Sequence, residues 1–147
     1  MNFYFDAAYL VRLYVEDSGF KEVRKLAKNS VIQSSIHGKM ETEAAFHRKL
    51  REDFFDKEVH AEVHSQFHDD IGLGLIVLVP LTPAVVNRVS DAFLHLPANV
   101  VLRAGDAIHL ATAAEAGFKE IYSNDWRLLE AAPMFKLKGV NPLAQES

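Results

Sequence analysis

Four acidic residues stand where a strand is predicted to end or a helix to begin, and together they could carry out chemistry. They are Asp6, Glu41, Asp106 and Asp125. Four carboxylates that converge in a partly desolvated crevice repel one another, so their pKa values rise unless a divalent cation offsets the charge. Oxygen ligands without cysteine suit Mg²⁺ or Mn²⁺. Such a site typically performs phosphoryl transfer, and we predict metal-assisted hydrolysis of a phosphodiester.

The predicted elements should bring these acids to one rim of a sheet. Asp6 closes a short aromatic strand at the start of the chain, and Asp125 follows the predicted strand 119–123. Glu41 and Asp106 lie in the early turns of two predicted helices. In an open parallel sheet, functional groups gather at the carboxyl ends of the strands, in the crevice where the strand order reverses. We therefore expect the four side chains to lie close together.

Each acid also has a purely structural explanation. Asp6, Asp106 and Asp125 could stabilise helix N-termini, since a carboxylate there accepts free backbone N–H groups and meets the positive end of the helix dipole. Glu41 could be one more surface glutamate. Each of these structural explanations concerns one acid alone. The interpretation as a shared site requires all four acids to converge, and this convergence depends on the predicted topology.

Strands alternate with helices along the chain, which predicts a single α/β domain over residues 1–147. The expected architecture is a three-layer sandwich whose central sheet is mostly parallel and has about five strands. The predicted strands are 3–5, 31–34, 75–79, 119–123 and an edge strand within 135–140. The continuous apolar run 75–79 is typical of a strand that is buried on both faces.

Helical spacing predicts which side chains pack inward. After a cap at Ser34 or Ser35, the long helix should bury Met40, Ala44, Ala45 and Leu50. Phe54, Phe55, Val59, Val63 and Phe67 should lie on one face of the next helix. Thr82 should cap a further helix, which carries Val85, Val86, Val89 and Phe93 inward.

Composition describes an ordinary globular chain of 147 residues. It contains no cysteine, which excludes disulfides and thiolate chemistry, and a cytoplasmic location is expected because neither a targeting signal nor a membrane span is visible. The formal net charge of −4 argues against a generic nucleic-acid-coating protein, although a local basic patch beside an acidic metal site is compatible with it.

Three histidines, His60, His64 and His68, form a stripe along one predicted helix. Histidines four residues apart can share a metal ion, but three successive turns span ~12 Å, which is too far for one ion. The stripe also lacks a carboxylate placed between its histidines in a recognised zinc pattern. We expect a solvated or partner-facing flank.

Four sequence blocks resemble those of the PIN-domain nucleases, and most closely the small VapC-type toxins of bacterial and archaeal toxin–antitoxin pairs. The blocks are FYFDAAYLVRLYVED around Asp6, SSIHGKMETEAAFHRKL around Glu41, LRAGDAIHLATA around Asp106 and YSNDWRLLEAA around Asp125. They cover nearly the whole chain in the usual order. Gly105 departs from the family pattern, which more often has alanine or a bulkier residue before the third acid.

The resemblance implies a Mg²⁺-dependent endoribonuclease that cuts structured RNA such as tRNA or rRNA. It also implies a homodimer, and an antitoxin whose tail enters the active site. The four acids would be the catalytic metal ligands. Ser35, six residues before the second acid, and Ser123 and Asn124, beside the fourth, would give polar support to the substrate site.

Phosphate binding needs cations near the acids, and four basic residues are candidates by their predicted position. They are Arg12, Lys39, Arg103 and Arg127. Arginine suits phosphate because its guanidinium group donates two parallel hydrogen bonds. The structural alternative for each is a solvated side chain.

Two other functions remain open at this stage. One is a phosphatase with an aspartyl nucleophile at Asp6, although that class usually has a second aspartate two residues later, where this chain has Ala8. The other is a catalytically silent interaction module that binds a protein through the surface around Phe54, Phe55 and Phe67. In that module the acids are caps and Mg²⁺ has no effect.

Overall fold

The computed structural model describes residues 1–143. Its strands are β1 (Asn2–Tyr4), β2 (Val31–Ser35), β3 (Ile76–Val79), β4 (Glu120–Tyr122) and β5 (Lys138–Val140). Its α-helices are α1 (Ala7–Val11), α2 (Phe20–Ala27), α3 (Ile36–Arg51), α4 (Lys57–Gly72), α5 (Pro83–His95), α6 (Ala104–Glu115) and α7 (Trp126–Ala131), and a 3₁₀ turn, Ala132–Phe135, follows α7.

The strands form a parallel arrangement whose order reverses beside β1. Strand β1 pairs with β2 and β2 with β3, while β4 pairs with β5, all in parallel. A parallel bridge between Phe5 and Tyr122 joins the two groups, which gives the order β3-β2-β1-β4-β5. The expected α/β fold with a parallel sheet is confirmed. Its crevice lies at the carboxyl ends of β1 and β4, since the chain order runs outward in both directions from there.

Two apolar cores cover the two faces of the sheet. Alternation along β1 places Phe3 and Phe5 in one core, with α1, α3 and α4, and Tyr4 in the other, with α6 and α7. Ile121 of β4 lies in the same core as Tyr4, and Tyr122 lies in the first. Helices on both faces of a parallel sheet make the three layers that the sequence predicted.

Side-chain caps determine where several helices begin. The Ser35 hydroxyl accepts a hydrogen bond from the Gly38 N–H at 2.9 Å, and Thr82 accepts one from Val85 at 3.2 Å. Both caps confirm the predicted helix starts, and each satisfies an N–H group that would otherwise lack a partner. The next caps along the rim are two of the acids themselves, described below.

The buried face of α3 differs from the prediction. Its buried residues are Gly38, Thr42, Ala45 and Phe46. Ala45 was expected there, but Met40 and Ala44 are exposed. The face of α3 that packs inward includes a glycine and a threonine, Gly38 and Thr42. The spacing of hydrophobic residues therefore did not identify the buried face of this helix.

Helix α5 also carries more apolar side chains than its inner face can bury. Val85 is buried and Val89 packs against the same core, as predicted. Val86 and Phe93 are exposed, contrary to the prediction, because they lie on the next stripe around the helix. The outer face of α5 therefore carries exposed apolar side chains beside the exposed polar residues Asn87 and Ser90, and it is uncovered within residues 1–143.

Strand β3 is an edge strand, so the prediction that it is buried on both faces is wrong. Within the described residues its pairing is with β2, and Ile76 is its buried residue, whereas Val77 is exposed.

The predicted aromatic surface is wrong as well. Phe67 is fully buried between Tyr14 and Phe46, and Phe54 precedes α4 instead of lying on it.

Among the helices of residues 1–143, none has the length and apolar character that crossing a bilayer requires.

Candidate active site

Asp6 lies at the crevice between β1 and β4. Its backbone N–H donates to the Tyr122 carbonyl at 3.1 Å, and its carboxylate accepts the N–H of Tyr9 at 3.0 Å, capping α1. The side chain is 5% exposed. Burial raises the pKa of Asp6, although His109, the Ser123 hydroxyl and the Tyr9 N–H favour its ionised form. Asp6 therefore caps α1 and, when it is ionised, places a buried negative charge at the rim, which costs desolvation free energy.

Glu41 reaches the same crevice from α3 and is held there by His109 of α6. The distance from His109 Nε2 to Glu41 Oε1 is 2.6 Å, and the Tyr4 hydroxyl lies 2.9 Å from His109 Nδ1. His109 Nε2 is thus placed to donate a hydrogen bond to the carboxylate, while Nδ1 meets the tyrosine hydroxyl. His109 is 1% exposed, so Tyr4, His109 and Glu41 form a buried chain that ends at the rim.

The ionised form of Glu41 is favoured by its neighbours. Partial burial raises its pKa, but the hydrogen bond from His109 and the charges of His109 and His37 lower it, and the net shift is downward. His37 Nε2 is 3.7 Å from Glu41 Oε2. A carboxylate that stays ionised and is fixed by a buried donor is well suited to bind a cation.

Two glycines allow these groups to approach. A Cβ at Gly105 would lie 3.2 Å from His37 Nε2 and 3.3 Å from Glu41 Oε2. A Cβ at Gly38 would lie 2.9 Å from His109 Cε1 and 2.6 Å from the Ser34 Oγ. The unusual glycine before Asp106 therefore has a local reason, since it leaves room for Glu41.

Asp106 and Asp125 complete the acidic group. Asp106 is in the first turn of α6, and burial together with the negative charges of Asp125 and Asp6 raises its pKa to about 6. Asp125 caps α7 by accepting the N–H of Arg127 at 2.9 Å, and its own N–H donates to the Ser123 Oγ at 3.0 Å. The pKa of Asp106 indicates that these acids lie close enough to repel one another.

The donor set fits a hard divalent cation. Carboxylates from four elements face one rim, and the raised pKa of Asp106 indicates an excess of negative charge that a cation would offset. No three of these four acids, all within the described residues, have their ligand atoms within 4.8 Å of one another. Binding would therefore draw the carboxylates together against their repulsion.

The basic and polar residues that were predicted to bind substrate lie at several separate positions in the structure. Arg12 is tied to backbone carbonyls, with Nε 2.7 Å from the Ser18 oxygen, and Lys39 pairs with Glu43 at 2.9 Å, away from the acids. Arg103 is exposed beside α6, and Arg127 lies over the Trp126 ring. The remaining predicted residues are placed as follows: Ser35 and Ser123 are buried and Asn124 is exposed.

A basic groove that the sequence did not reveal adjoins Glu41. It lies between α1 and α3, has a volume of about 430 Å³, and is lined in part by Arg12, Arg48 and Lys49. Lys49 is paired with Asp17 at 2.7 Å. An exposed aromatic ring, Trp126, directly follows the fourth acid. The helical spacing of Glu41, Ala45 and Arg48 could have suggested one wall of the groove, whereas its second wall comes from α1.

Comparison with known proteins identifies the family of the chain. A family model described as the PIN domain matches residues 3–133, a span that includes all four acids. No curated protein sequence matches the chain.

Several solved structures share the fold. VapC20 of Mycobacterium tuberculosis, a toxin that cleaves the sarcin–ricin loop, is 15% identical with a TM-score of 0.68, covering 88% of this chain and 94% of its own. FitAcB of Neisseria gonorrhoeae is 16% identical with a TM-score of 0.69, covering 97% and 98%. VapBC2 of Rickettsia felis, bound to promoter DNA, is 15% identical with a TM-score of 0.64, covering 96% and 98%.

Proposed function

This chain belongs to the PIN domain family, and from that premise we propose that it is a Mg²⁺- or Mn²⁺-dependent endoribonuclease and the toxin of a toxin–antitoxin pair. The observation that carries the proposal is the acidic group at the crevice, in which Asp6 caps α1, Glu41 is held 2.6 Å from His109 Nε2, and burial with the neighbouring acids raises the pKa of Asp106 to about 6. A group of carboxylates that repel one another at the rim of an α/β sheet is best explained as a site for cations. We propose that one such domain spans residues 1–147.

In this proposal Asp6, Glu41, Asp106 and Asp125 hold the ion. A bound Mg²⁺ or Mn²⁺ supplies Lewis-acid activation of water and stabilises negative charge on the phosphate. The ionised carboxylates would orient the attacking water.

The basic groove between α1 and α3 supports RNA as the substrate. Arg48 and Glu41 both line it, and Arg12 adds a second guanidinium group, which already donates to the Ser18 and Ala8 carbonyls. Phosphate contacts of this kind position a strand without reading its sequence. Trp126 is exposed next to Asp125, where its ring can stack on an unpaired base, a contact worth about 1–3 kcal/mol. Single-stranded loops of tRNA or rRNA present both features.

Two protein partners belong to the proposal. The outer face of α5 exposes the apolar side chains of Val86, Phe93 and Leu94, and we propose that it joins two copies in a homodimer. The antitoxin is proposed from the VapC-type resemblance, with its tail in the acidic crevice. The complexes named VapBC2 and FitAcB are consistent with such a pair.

Cleavage of RNA by the purified protein tests the function. The substrates are a mixed tRNA and rRNA pool and an oligonucleotide of the sarcin–ricin loop, each with Mn²⁺, with Mg²⁺ and with EDTA. Asp6→Asn and Asp106→Asn, prepared identically, should lose the cleavage that the wild type shows with metal. Equal cutting by wild type and variants would identify a contaminant, and an absence of cutting by all three proteins on every substrate would contradict the ribonuclease proposal.

A further inference from the structure

A second cluster of metal-ligating side chains lies between α3 and α4. Glu43 of α3 faces His64 and His68, which lie one turn apart on α4. Glu43 Oε2 is 3.1 Å from His64 Nε2 and 2.8 Å from His68 Nε2. One ligand atom from each of the three residues lies within 4.8 Å of the other two. Two imidazoles and one carboxylate are a donor set typical of zinc.

This cluster is separate from the acidic crevice. Glu41 and Glu43 are two positions apart on α3, so their side chains point about 200° apart around the helix. Glu41 contacts His109 of α6, whereas Glu43 contacts α4. A cation held by Glu43 would therefore have different ligands from one held by the four acids.

We propose that Glu43, His64 and His68 form a Zn²⁺ site that links α3 to α4. In a tetrahedral zinc site with ligand bonds of about 2.0–2.1 Å, adjacent ligand atoms are about 3.3 Å apart. The distances from Glu43 Oε2 to the two imidazole nitrogens, 3.1 and 2.8 Å, are a few tenths of an ångström shorter, so the carboxylate must move away from the imidazoles by that amount. The His64 and His68 rings are stacked with centroids 4.4 Å apart and planes 21° apart, so binding also requires a ring to rotate until both Nε2 lone pairs point at one ion.

The third histidine of the stripe does not belong to the site. The His60 ring is 6.4 Å from that of His64 and lies beside Phe55 instead. The objection that three turns span too far for one ion therefore applies to His60 alone. The carboxylate missing from the stripe is Glu43, which comes from a neighbouring helix and not from α4 itself.

Lys39 is the natural competitor of the ion. Its Nζ donates to both oxygens of Glu43, at 2.9 and 3.1 Å, and so places a positive charge against the same carboxylate. Zinc must displace this ammonium group or share the carboxylate with it. The histidine side chains are 43% and 44% exposed, which gives an ion a direct path from solvent and leaves room for water as a fourth ligand.

Zinc titration of the protein without a histidine tag tests the proposal. Calorimetry is performed with Zn²⁺ in excess Mg²⁺, which occupies hard oxygen ligands but competes weakly for imidazole. The variants His64→Ala, His68→Ala and Glu43→Gln should each lose the zinc-binding event. His60→Ala, on the same helix one turn away, is the matched control and should keep it, as should Asp6→Asn, which alters the acidic crevice.

Lys39→Met should bind Zn²⁺ more tightly than the wild type, because the competing charge is gone. In the wild-type protein, zinc should also shift the ring resonances of His64 and His68 in a nuclear magnetic resonance spectrum and leave those of His60 in place. The melting temperature should rise with zinc, since the ion ties two helices together. Zinc binding that survives all three ligand substitutions, or that moves the three histidines equally, would overturn the proposal.

Discussion

Asp106 keeps its proton to a higher pH than an ordinary aspartate, because burial and the charges of Asp125 and Asp6 disfavour its ionised form. The folded protein with its cations removed therefore binds this proton more tightly than the unfolded chain does. Stability is greatest when Asp106 is protonated, and it falls as the pH rises from the unfolded value of 3.8 to about 6.

Asp106→Asn removes this dependence. In EDTA, the stability of the variant relative to wild type should increase between pH 4 and pH 7 by about 1 kcal/mol, a value reduced for the partial exposure of the side chain. Urea unfolding at several pH values measures the difference. A difference that stays constant across this range would contradict the assigned pKa.

His109→Ala should destabilise the protein and weaken the binding of Mn²⁺. The substitution leaves Glu41 without its buried donor and opens a cavity beside Tyr4, at a cost of about 2–4 kcal/mol in unfolding free energy. Loss of a residue that orients a metal ligand costs roughly 10–100-fold in metal affinity.

Tyr4→Phe is the matched control for that substitution. It removes a single hydroxyl group and leaves the His109 to Glu41 hydrogen bond in place, so its cost should be about 1 kcal/mol with little change in Mn²⁺ affinity. Equal effects of the two substitutions on Mn²⁺ affinity would show that His109 does not position Glu41.

At this scale Asp6, Asp106 and Asp125 could be located from the sequence because turns and caps mark the element boundaries beside them. Glu41 could be located because it lies in the early turns of a helix that begins at the same rim. His109 could not be identified in this way, because it lies within an apolar helical stripe and its partner Glu41 is 68 positions away in the chain. Gly105 was recognised as unusual, but its reason depends on the approach of α3, which no local pattern specifies.

The contact between α3 and α6 depends on the absence of a side chain at Gly38. A Cβ there would lie 2.6 Å from the Ser34 Oγ and 2.9 Å from His109 Cε1. Gly38→Ala should therefore destabilise the protein by about 1–3 kcal/mol despite the better helix propensity of alanine, because the helix must move away from the strand that precedes it.

Gly72→Ala is the comparison within another helix. Nothing lies within 4 Å of a Cβ at Gly72, so alanine should be neutral or stabilise α4 by up to about 1 kcal/mol. Thermal and urea unfolding of both variants distinguishes close packing from helix propensity. Equal effects of the two substitutions would contradict the described contact.

Element boundaries followed from the sequence better than element faces did. Ser35 and Thr82 mark helix starts by local chemistry, and the structure has both caps. The buried face of α3 includes Thr42, which donates its hydroxyl hydrogen to the Gly38 carbonyl at 2.7 Å. A polar residue that is satisfied within its own helix can be buried, so hydrophobic spacing alone misplaces such a face. The prediction that β3 is buried on both faces was wrong because an apolar run does not show whether a strand lies at the centre or at the edge of a sheet.

At the scale of the whole molecule, we predict that two copies of the chain assemble through the outer face of α5. Phe93→Glu should convert a dimer to a monomer, because a charge would be buried in the apolar contact. Phe54→Glu, which alters an exposed aromatic residue before α4, should leave the dimer intact. Light scattering after size-exclusion chromatography measures both masses. A wild-type monomer, or a dimer that Phe93→Glu leaves unchanged, would contradict the proposed interface.

The alternation of strands and helices predicted that the sheet is parallel, but it did not specify the order β3-β2-β1-β4-β5. It is this order that brings Asp6 and Asp125 together, since β1 and β4 are neighbours although they are distant in the chain. The partner surfaces could not be anticipated in the same way, because an apolar residue on a helix has the same pattern whether it faces a core or a second protein.

Binding of Mn²⁺ at equilibrium tests most directly whether the four acids form one cation site. Calorimetric titration of the EDTA-treated protein compares wild type with Asp6→Asn, Asp106→Asn and, as the control at the second cluster, His64→Ala. Wild type and His64→Ala should bind Mn²⁺ with equal affinity, and both aspartate variants should bind it far more weakly. Equal binding by all four proteins, or no binding by the wild type, would contradict the metal site on which the proposed nuclease depends.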